Sequence, residues 1–310
     1  MNGPLVLCVG DIDVDLLVKV SELPRLDDKV SGRYIALTPG GMSANVAVGL
    51  ARLGGRVRLV GATGDDSSGE FALAAIAREG VDVRCVVRRR NCPTFMCLVL
   101  ISPQGEKALI RLETDAYLPR PDEVDPRVFE GVRHVHLTLG SAALTLRCLD
   151  LAAAAGASVS LDLEAADLPS DTEVLRAVLA RVDLLFLNRR GHEALIERLR
   201  TATVPGPGAV IVTLGPAGSR YQSKDRNIEV AGLSAAAKDT TGAGDCFAAA
   251  FLNRHFAGSD PAEALAFANA AAAVSITHLG AQDGLPTFEV VERALAALAT
   301  GRGAASTTDY

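Results

Sequence analysis

The stretch DTTGAGDCFAAAF, residues 239–251, sets two glycines and two threonines between two aspartates and then enters an alanine-rich apolar run. Glycines at 242 and 244 permit positive φ and leave no Cβ in the way of a close ligand. The run CFAAAFLNRHF that follows is helical in pattern. A glycine turn feeding a helix start is a ready anion site, because the first backbone N–H groups lack partners and the helix dipole favours negative charge. Asp245 at that junction repels an anion. It is either a helix cap or the base that takes a proton from a hydroxyl attacking a phosphoryl group held beside it. The motif by itself leaves both open.

Outward from this stretch, strand and helix signals alternate. RVRLVGATG, HVHLTL, SVSLDL, DLLFLN and AVIVTLG read as strands. FALAAIAREG, LTLRCLDLAAAAG, TEVLRAVLARV and GHEALIERLR read as the helices between them. Such alternation predicts a doubly wound α/β fold, a mostly parallel sheet with helices on both faces. The chain opens on the short apolar strand LVLCV, followed by Gly10 and Asp11. GGMSANVAVGLARLGG reads as a glycine turn and a helix that stops at Gly54 and Gly55. Two stretches break the rhythm, near 13–38 and 92–113. Each reads as a pair of strands, the second around the turn Pro103, Gln104, Gly105. They are expected to pack together as a small β lid on a single domain spanning 1–310. The tail GRGAASTTDY has a disorder-prone composition.

Bulk properties narrow the function. A net charge of -6 and a pI near 5.5 argue against a nucleic-acid groove, which needs a basic face. No apolar run approaches the roughly eighteen residues of a membrane span, and the N-terminus is no signal peptide. Six scattered cysteines without a CxxC pair predict reduced thiols in a cytoplasmic protein. The P-loop pattern GxxxxGK[ST] is missing, and GDIDVD after the first strand is not a GxGxxG turn.

Four segments, in order, resemble the ribokinase-like carbohydrate kinase (PfkB) family. GGMSANVAVGLARLGG with GATGDDSSGE is similar to its first signature, and DTTGAGDCFAAAF to its nucleotide and catalytic signature. VIVTLGPAGS and FANAAAAVSITHLGAQ are similar to its nucleotide-loop segments. The resemblance implies that Asp245 is the catalytic base and that Gly242, Ala243 and Gly244 form the anion hole. It implies nucleotide contacts at Thr213, Gly215, Gly218 and Asn269, with Asn188 near the phosphates and their Mg²⁺. It implies sugar-hydroxyl contacts at Asp13, Asp15, Gly41 and Asn45. A monovalent-cation site, for K⁺, is implied at Asp239 and Thr241, completed by backbone oxygens near Ser275, His278 and Gly280. ATP, Mg²⁺, a small sugar and a homodimer through the lid follow as expected cofactors and partners. Asp162, at a strand's C-terminal end in SLDLE, is a further candidate.

The chain also departs from the family. The NxxE pattern reads Asn188, Arg189, Arg190, Gly191 here, so glycine stands where the Mg²⁺-organising Glu is common. Met42 replaces the lysine of ribokinases proper, and Gly140 stands near their substrate-binding Glu. The leading reading is ATP-dependent phosphorylation of a hydroxymethyl group on a small sugar or sugar acid. A nucleoside kinase is the alternative within the family, and a non-catalytic sugar or nucleotide sensor is the alternative from another class. Asp13 and Asp15 offer acceptor oxygens suited to several hydroxyl donors. Tyr34 and Phe95 are the only aromatics in the two lid stretches, a poor supply for stacking a base. Arg33 and Arg111 are the cations placed near the lid for a phosphorylated acceptor.

Overall fold

Along each central strand, neighbouring apolar residues divide between two cores. Val6 and Cys8, Leu184 and Phe186, Ala209 and Ile211 face one core. Leu7 and Val9, Leu185 and Leu187, Val210 and Val212 face the other. Side chains alternate across a strand, so a run that is apolar at every position must be covered on both faces. This computed structural model describes residues 3–103 and 106–299. Gln104 and Gly105 of the expected turn, and the tail from 301, lie outside the described residues.

The chain begins β1 (Leu5–Val9), β2 (Asp13–Val20), β3 (Gly32–Gly40), α1 (Met42–Arg52), β4 (Arg56–Val60) and β5 (Ala62–Gly64). It continues α2 (Ser67–Arg78), β6 (Val87–Arg89), β7 (Met96–Ile101), β8 (Lys107–Leu112), β9 (Val132–Thr138) and α3 (Ala142–Ala155). Then come β10 (Ser158–Asp162), α4 (Thr172–Leu179), β11 (Leu184–Asn188), α5 (Arg189–Leu199) and β12 (Ala209–Thr213). β13 (Ser219–Ser223), β14 (Asn227–Val230), α6 (Ala243–Phe256), α7 (Pro261–Ser275) and α8 (Phe288–Ala299) complete it.

The main sheet has eight strands in the order β14-β13-β12-β11-β10-β9-β1-β4. β4, β1, β9, β10, β11 and β12 run parallel. β13 and β14 add an antiparallel edge that the sequence reading did not contain. α1, α2, α6, α7 and α8 cover one face, and α3, α4 and α5 the other. The chain moves from β1 to β4 on one side and then returns to place β9 on the other. That reversal is a switch point, and ligands of open α/β sheets bind outside the carboxyl ends of the strands there. A hydroxyl pair, Ser43 Oγ and Thr138 Oγ1 at 3.2 Å, joins α1 to the end of β9 beside it.

A second sheet of four strands has the order β3-β2-β7-β8. β2 with β3 and β7 with β8 pair antiparallel, as expected for the two stretches, and β2 pairs parallel with β7. Two boundaries move. RVRLVGATG is not one strand: it breaks at Gly61, where a Cβ would meet Ile12 Cδ1 at 2.7 Å, and Ala62–Gly64 turns away to pair with β6. α2 begins earlier than its apolar pattern, because Asp66 caps it by accepting from the Gly69 amide at 2.9 Å.

Candidate active site

α1 and α6 lie side by side in register, and that register builds the centre of the site. Asn45 Nδ2 donates to Asp245 Oδ2 at 2.7 Å. One turn along, a Cβ on Gly49 would stand 2.8 Å from Ala249 Cβ, so the two helices touch almost backbone to backbone. A further turn along, Asn253 Nδ2 donates to the Leu53 carbonyl at 3.1 Å. Steps of four residues keep one face of each helix on the other. Gln282 Nε2 holds Asn45 Oδ1 at 3.1 Å, and Arg52 holds the carbonyls of Gln282 and Leu285 at 2.7 Å each.

Asp245 therefore does not cap α6. The cap position is Gly242, at φ 73°; the Ala243 amide donates to the Thr240 carbonyl at 3.3 Å, and among the described residues no side chain accepts from the first-turn amides. Gly242, Ala243, Gly244 and Asp245 all line a cleft of about 460 Å³. A Cβ on Gly244 would meet nothing within 4 Å, so the cleft is open beside that residue. Burial raises the Asp245 pKa well above the ordinary carboxylate range; the Asn45 amide opposes this, and Asp162, Asp11 and Glu164 add to it. Oδ2 is engaged by Asn45, and the residue lines the cleft, where its carboxylate can act as a proton acceptor.

Asp13 and Asp15 sit on one face of β2, both buried, across the same cleft. Among the described residues Asp13 Oδ1 has no hydrogen-bond partner, and Cys97 Sγ donates to its Oδ2 at 3.3 Å. Burial, with Asp15 and Asp11 nearby, raises the Asp13 pKa strongly. Asp15 is pushed up to about 6, by burial first and then by Asp239 and Asp11. Gly41 caps α1 at φ 98°, where a Cβ would lie 2.6 Å from the Asp11 carbonyl. Asp11, which carries no motif signal, accepts from the Met42 amide at 3.1 Å and the Ser43 amide at 3.3 Å. It fills the α1 N-terminus with the chain's own carboxylate, whereas among the described residues no carboxylate caps the α6 N-terminus.

At the other end of the cleft stand Asn188 and Thr213, on the carboxyl ends of β11 and β12. Asn188 Oδ1 accepts from the Gly191 amide at 2.7 Å and so caps α5. A Cβ on Gly191 would lie 3.1 Å from the Leu163 carbonyl, so the loop bearing Asp162 and Glu164 packs against that position. Both carboxylates line the cleft. Burial, with Glu164 beside it, pushes Asp162 up to about 7. Gly215 and Gly218 do not line the cleft. Gly218, at φ 106°, is packed so that a Cβ would meet the Val230 carbonyl at 2.0 Å. Asn269 is buried and donates to the carbonyls of Val230 and Ala231 at 3.2 Å each. These three shape the segment beside Thr213.

Of the residues expected around the cation, Asp239 and Thr241 meet, and Gly280 joins them through its amide rather than its expected backbone oxygen. Asp239 Oδ1 accepts from the Thr241 amide at 2.8 Å and Oδ2 from the Gly280 amide at 2.9 Å. The expectation at Ser275 and His278 concerns backbone oxygens; the Ser275 carbonyl accepts from the His278 amide at 3.2 Å, while the two side chains turn to Ala272 and Thr277. An unexpected group also arrives there: Lys107 Nζ bonds Asp239 Oδ1 and, at 2.8 Å, Thr241 Oγ1. A lone lysine after a turn carries no sequence signal for that contact.

The aromatic supply is richer than the lid stretches suggested. Phe95, Tyr117, Phe186 and Phe247 all line the cleft. Phe95 and Tyr117 have ring centroids 4.7 Å apart, and the Arg111 guanidinium lies over both, at 5.7 and 4.7 Å. Tyr34, by contrast, is 63% exposed, and Arg33 is exposed as well. Arg111 pairs with Asp167 at 3.5 Å and Glu113 at 3.8 Å.

Fold and cleft together define the class, an α/β phosphotransferase of the ribokinase-like type. The family model described as pfkB family carbohydrate kinase matches residues 4–288. The chain is 31% identical to an ATP-dependent ribose-1-phosphate kinase of Halopiger xanaduensis, over 92% of this chain and 96% of that one. It is 30% identical to a probable fructokinase-2 of Arabidopsis thaliana, over 92% and 94%. Arabidopsis ribokinase, solved in complex with ribose and ATP, superposes with a TM-score of 0.79 at 26% identity, covering 95% of this chain and 99% of that one. The chain belongs to the pfkB family of carbohydrate kinases.

Proposed function

We propose that the chain transfers the γ-phosphoryl group of ATP to a hydroxymethyl group on a small neutral sugar or sugar acid. The observation that carries this reading is the Asn45–Asp245 pair at the α6 N-terminus, facing Asp13 and Asp15 across one cleft. Asp245 takes the hydroxyl proton. The freed oxygen forms a bond to the γ-phosphorus as the bond from that phosphorus to the ADP oxygen breaks. The amides around Gly242, Ala243 and Gly244 stabilise the negative charge of the transferring group. Asp13, Asp15 and Asn45 hold the sugar hydroxyls, and the intact base counts against a sensor that only binds.

The lining bears on the cofactors. Asp11, Asp13, Asp15, Asp162, Glu164, Asp167 and Asp245 face a single guanidinium among the described lining residues. A triphosphate enters such a cleft only with a cation, and hard oxygen donors suit Mg²⁺. When bound, Mg²⁺ neutralises the triphosphate; Asp162, Glu164 and Asn188 are the residues that would hold it, in place of the family Glu. A phosphorylated acceptor is disfavoured, because Arg111 is already engaged by Asp167 and Glu113. The second sheet, two of whose strands carry Asp13, Asp15 and Arg111 into the cleft, acts as a lid. Its exposed Tyr34, Ile110 and Leu112 support association of two copies through it.

A second reading, a nucleoside kinase, is favoured by one observation: the Phe95–Tyr117 pair supplies a face for a base. ATP consumption over a panel of sugars, sugar acids and nucleosides tests both. A sugar or sugar acid is expected to give the highest kcat/KM. Adenosine, guanosine or inosine in first place would overturn the sugar reading and keep the kinase, and turnover of no acceptor would sink the kinase itself.

A further inference from the structure

Asp239 is the buried hub of the loop that ends in Gly242, Ala243 and Gly244. Its carboxylate holds the amides of Thr241 and Gly280, and its own amide donates to the Ile276 carbonyl at 3.1 Å. Two backbone segments, 239–241 and 276–280, are therefore joined at this residue, which is 3% exposed. A buried carboxylate needs a cation or a full set of donors. Here the cation comes from the second sheet. Lys107, the first residue of β8, reaches across to Asp239 Oδ1 and Thr241 Oγ1. The next residue after Thr241 is Gly242, at the left-handed φ that starts the anion hole.

We propose that Lys107 is a tethered cation for the anion-hole loop, a positioning residue that does the work expected of K⁺ at Asp239 and Thr241. Its ammonium compensates Asp239 and orients Thr241, and so aims the amides of the loop at the transferring phosphoryl group. Because β8 also carries Arg111 into the cleft, the same contact ties the shape of the anion hole to the position of the second sheet. The ammonium is part of the chain, so the rate is independent of dissolved K⁺. The inference rests on the kinase reading for its kinetic consequence, but the cation requirement of the fold stands apart from it.

The test compares wild type, Lys107→Met and Lys107→Arg in potassium chloride and in tetramethylammonium chloride at equal ionic strength. Melting temperature is measured without nucleotide, and kcat with Mg²⁺·ATP and the best acceptor of the panel. Wild type is expected to melt and turn over equally in both salts. Lys107→Met is expected to gain a K⁺-specific rise in melting temperature, because a cation that binds only the folded state stabilises it. Its kcat in tetramethylammonium falls on the order of tenfold to a hundredfold, the scale of a small misplacement of catalytic groups, with the ATP KM nearly unchanged. K⁺ restores part of that loss, and Lys107→Arg restores most of it without K⁺. A K⁺-specific stabilisation or activation of wild type overturns the proposal, as does a Lys107→Met protein with wild-type kcat in both salts. If Lys107→Met does not fold, the wild-type and Lys107→Arg arms still decide. If no acceptor is found, the melting arms decide without the kinase reading.

Discussion

At the residue scale, the cleft carboxylates Asp245, buried, and Asp162, half-buried, are set up for different tests. Asp245→Asn keeps the size of the side chain and can still accept from Asn45 through its amide oxygen, but it cannot take a proton. Turnover should fall on the order of a hundredfold or more, while ATP binding by calorimetry stays near wild type. A variant keeping more than about a tenth of the rate would remove Asp245 from the role of base. Asp162, lifted to about 7 by burial and by Glu164, gives a stability test instead. An unfolded Asp titrates near 3.9, so between that value and about 7 the folded state binds more protons than the unfolded one. Stability is thus full below the lower value and declines as pH rises through the upper one. Asp162→Asn should raise the melting temperature of the nucleotide- and metal-free protein at pH 8, by an effect on the order of 1 kcal/mol. At pH 5 the gain should be much smaller. Equal gains at both pH values would show that Asp162 is ionised at no unusual cost.

At the scale of elements, the pairing of α1 with α6 is what makes two distant aspartate and asparagine positions into one site. Gly49 has no side chain because Ala249 stands where a Cβ would go. Gly49→Val forces the helices apart, at a cost of about 1–3 kcal/mol of stability typical of overpacking. It also lengthens the Asn45–Asp245 contact one turn away. Both melting temperature and kcat should drop, and adding Ala249→Gly should recover part of each. A Gly49→Val protein with lowered stability but full kcat would show that the helix contact does not set the catalytic geometry. The element pattern was legible beforehand where it was strongly periodic: the central strands and α3, α4 and α5 alternate as their apolar spacing requires. The β13–β14 hairpin was not, because SRYQS is polar at four of its five positions, NIEV alternates over only four residues, and their turn has no Asn-Gly or Asp-Gly pair. It is held as an edge by pairing to β12 and by its own turn, where the Ser223 amide donates to the Arg226 carbonyl at 2.8 Å.

At the scale of the whole molecule, the second sheet presents Tyr34, Ile110 and Leu112 outward while its strands send Asp13, Asp15, Cys97 and Arg111 into the cleft. Exposed apolar side chains gathered on one face are the kind of surface that interaction sites use. Two copies are expected to associate through it, so Ile110→Lys with Leu112→Lys should shift sedimentation toward the monomer and leave the fold intact by circular dichroism. An unchanged sedimentation coefficient would place any assembly elsewhere. The sequence by itself determined the alternation of strands and helices, the glycine turn before an apolar helix, and the order of the four family-like segments. Those features are local: they depend on side-chain period, on glycine's missing Cβ and on turn chemistry, all of which are written in consecutive residues. Only the tertiary structure decided that Asp245 meets Asn45 rather than capping its helix, and that Asp11 closes one helix N-terminus while among the described residues no carboxylate caps the other. It also decided that Tyr117 and Arg111 join Phe95, and that Lys107 reaches Asp239. These are contacts between segments far apart in the chain, created by the crossovers at the β1–β9 switch point and by the fold of the second sheet over it; no local period or propensity encodes which distant side chains such packing brings within hydrogen-bond reach.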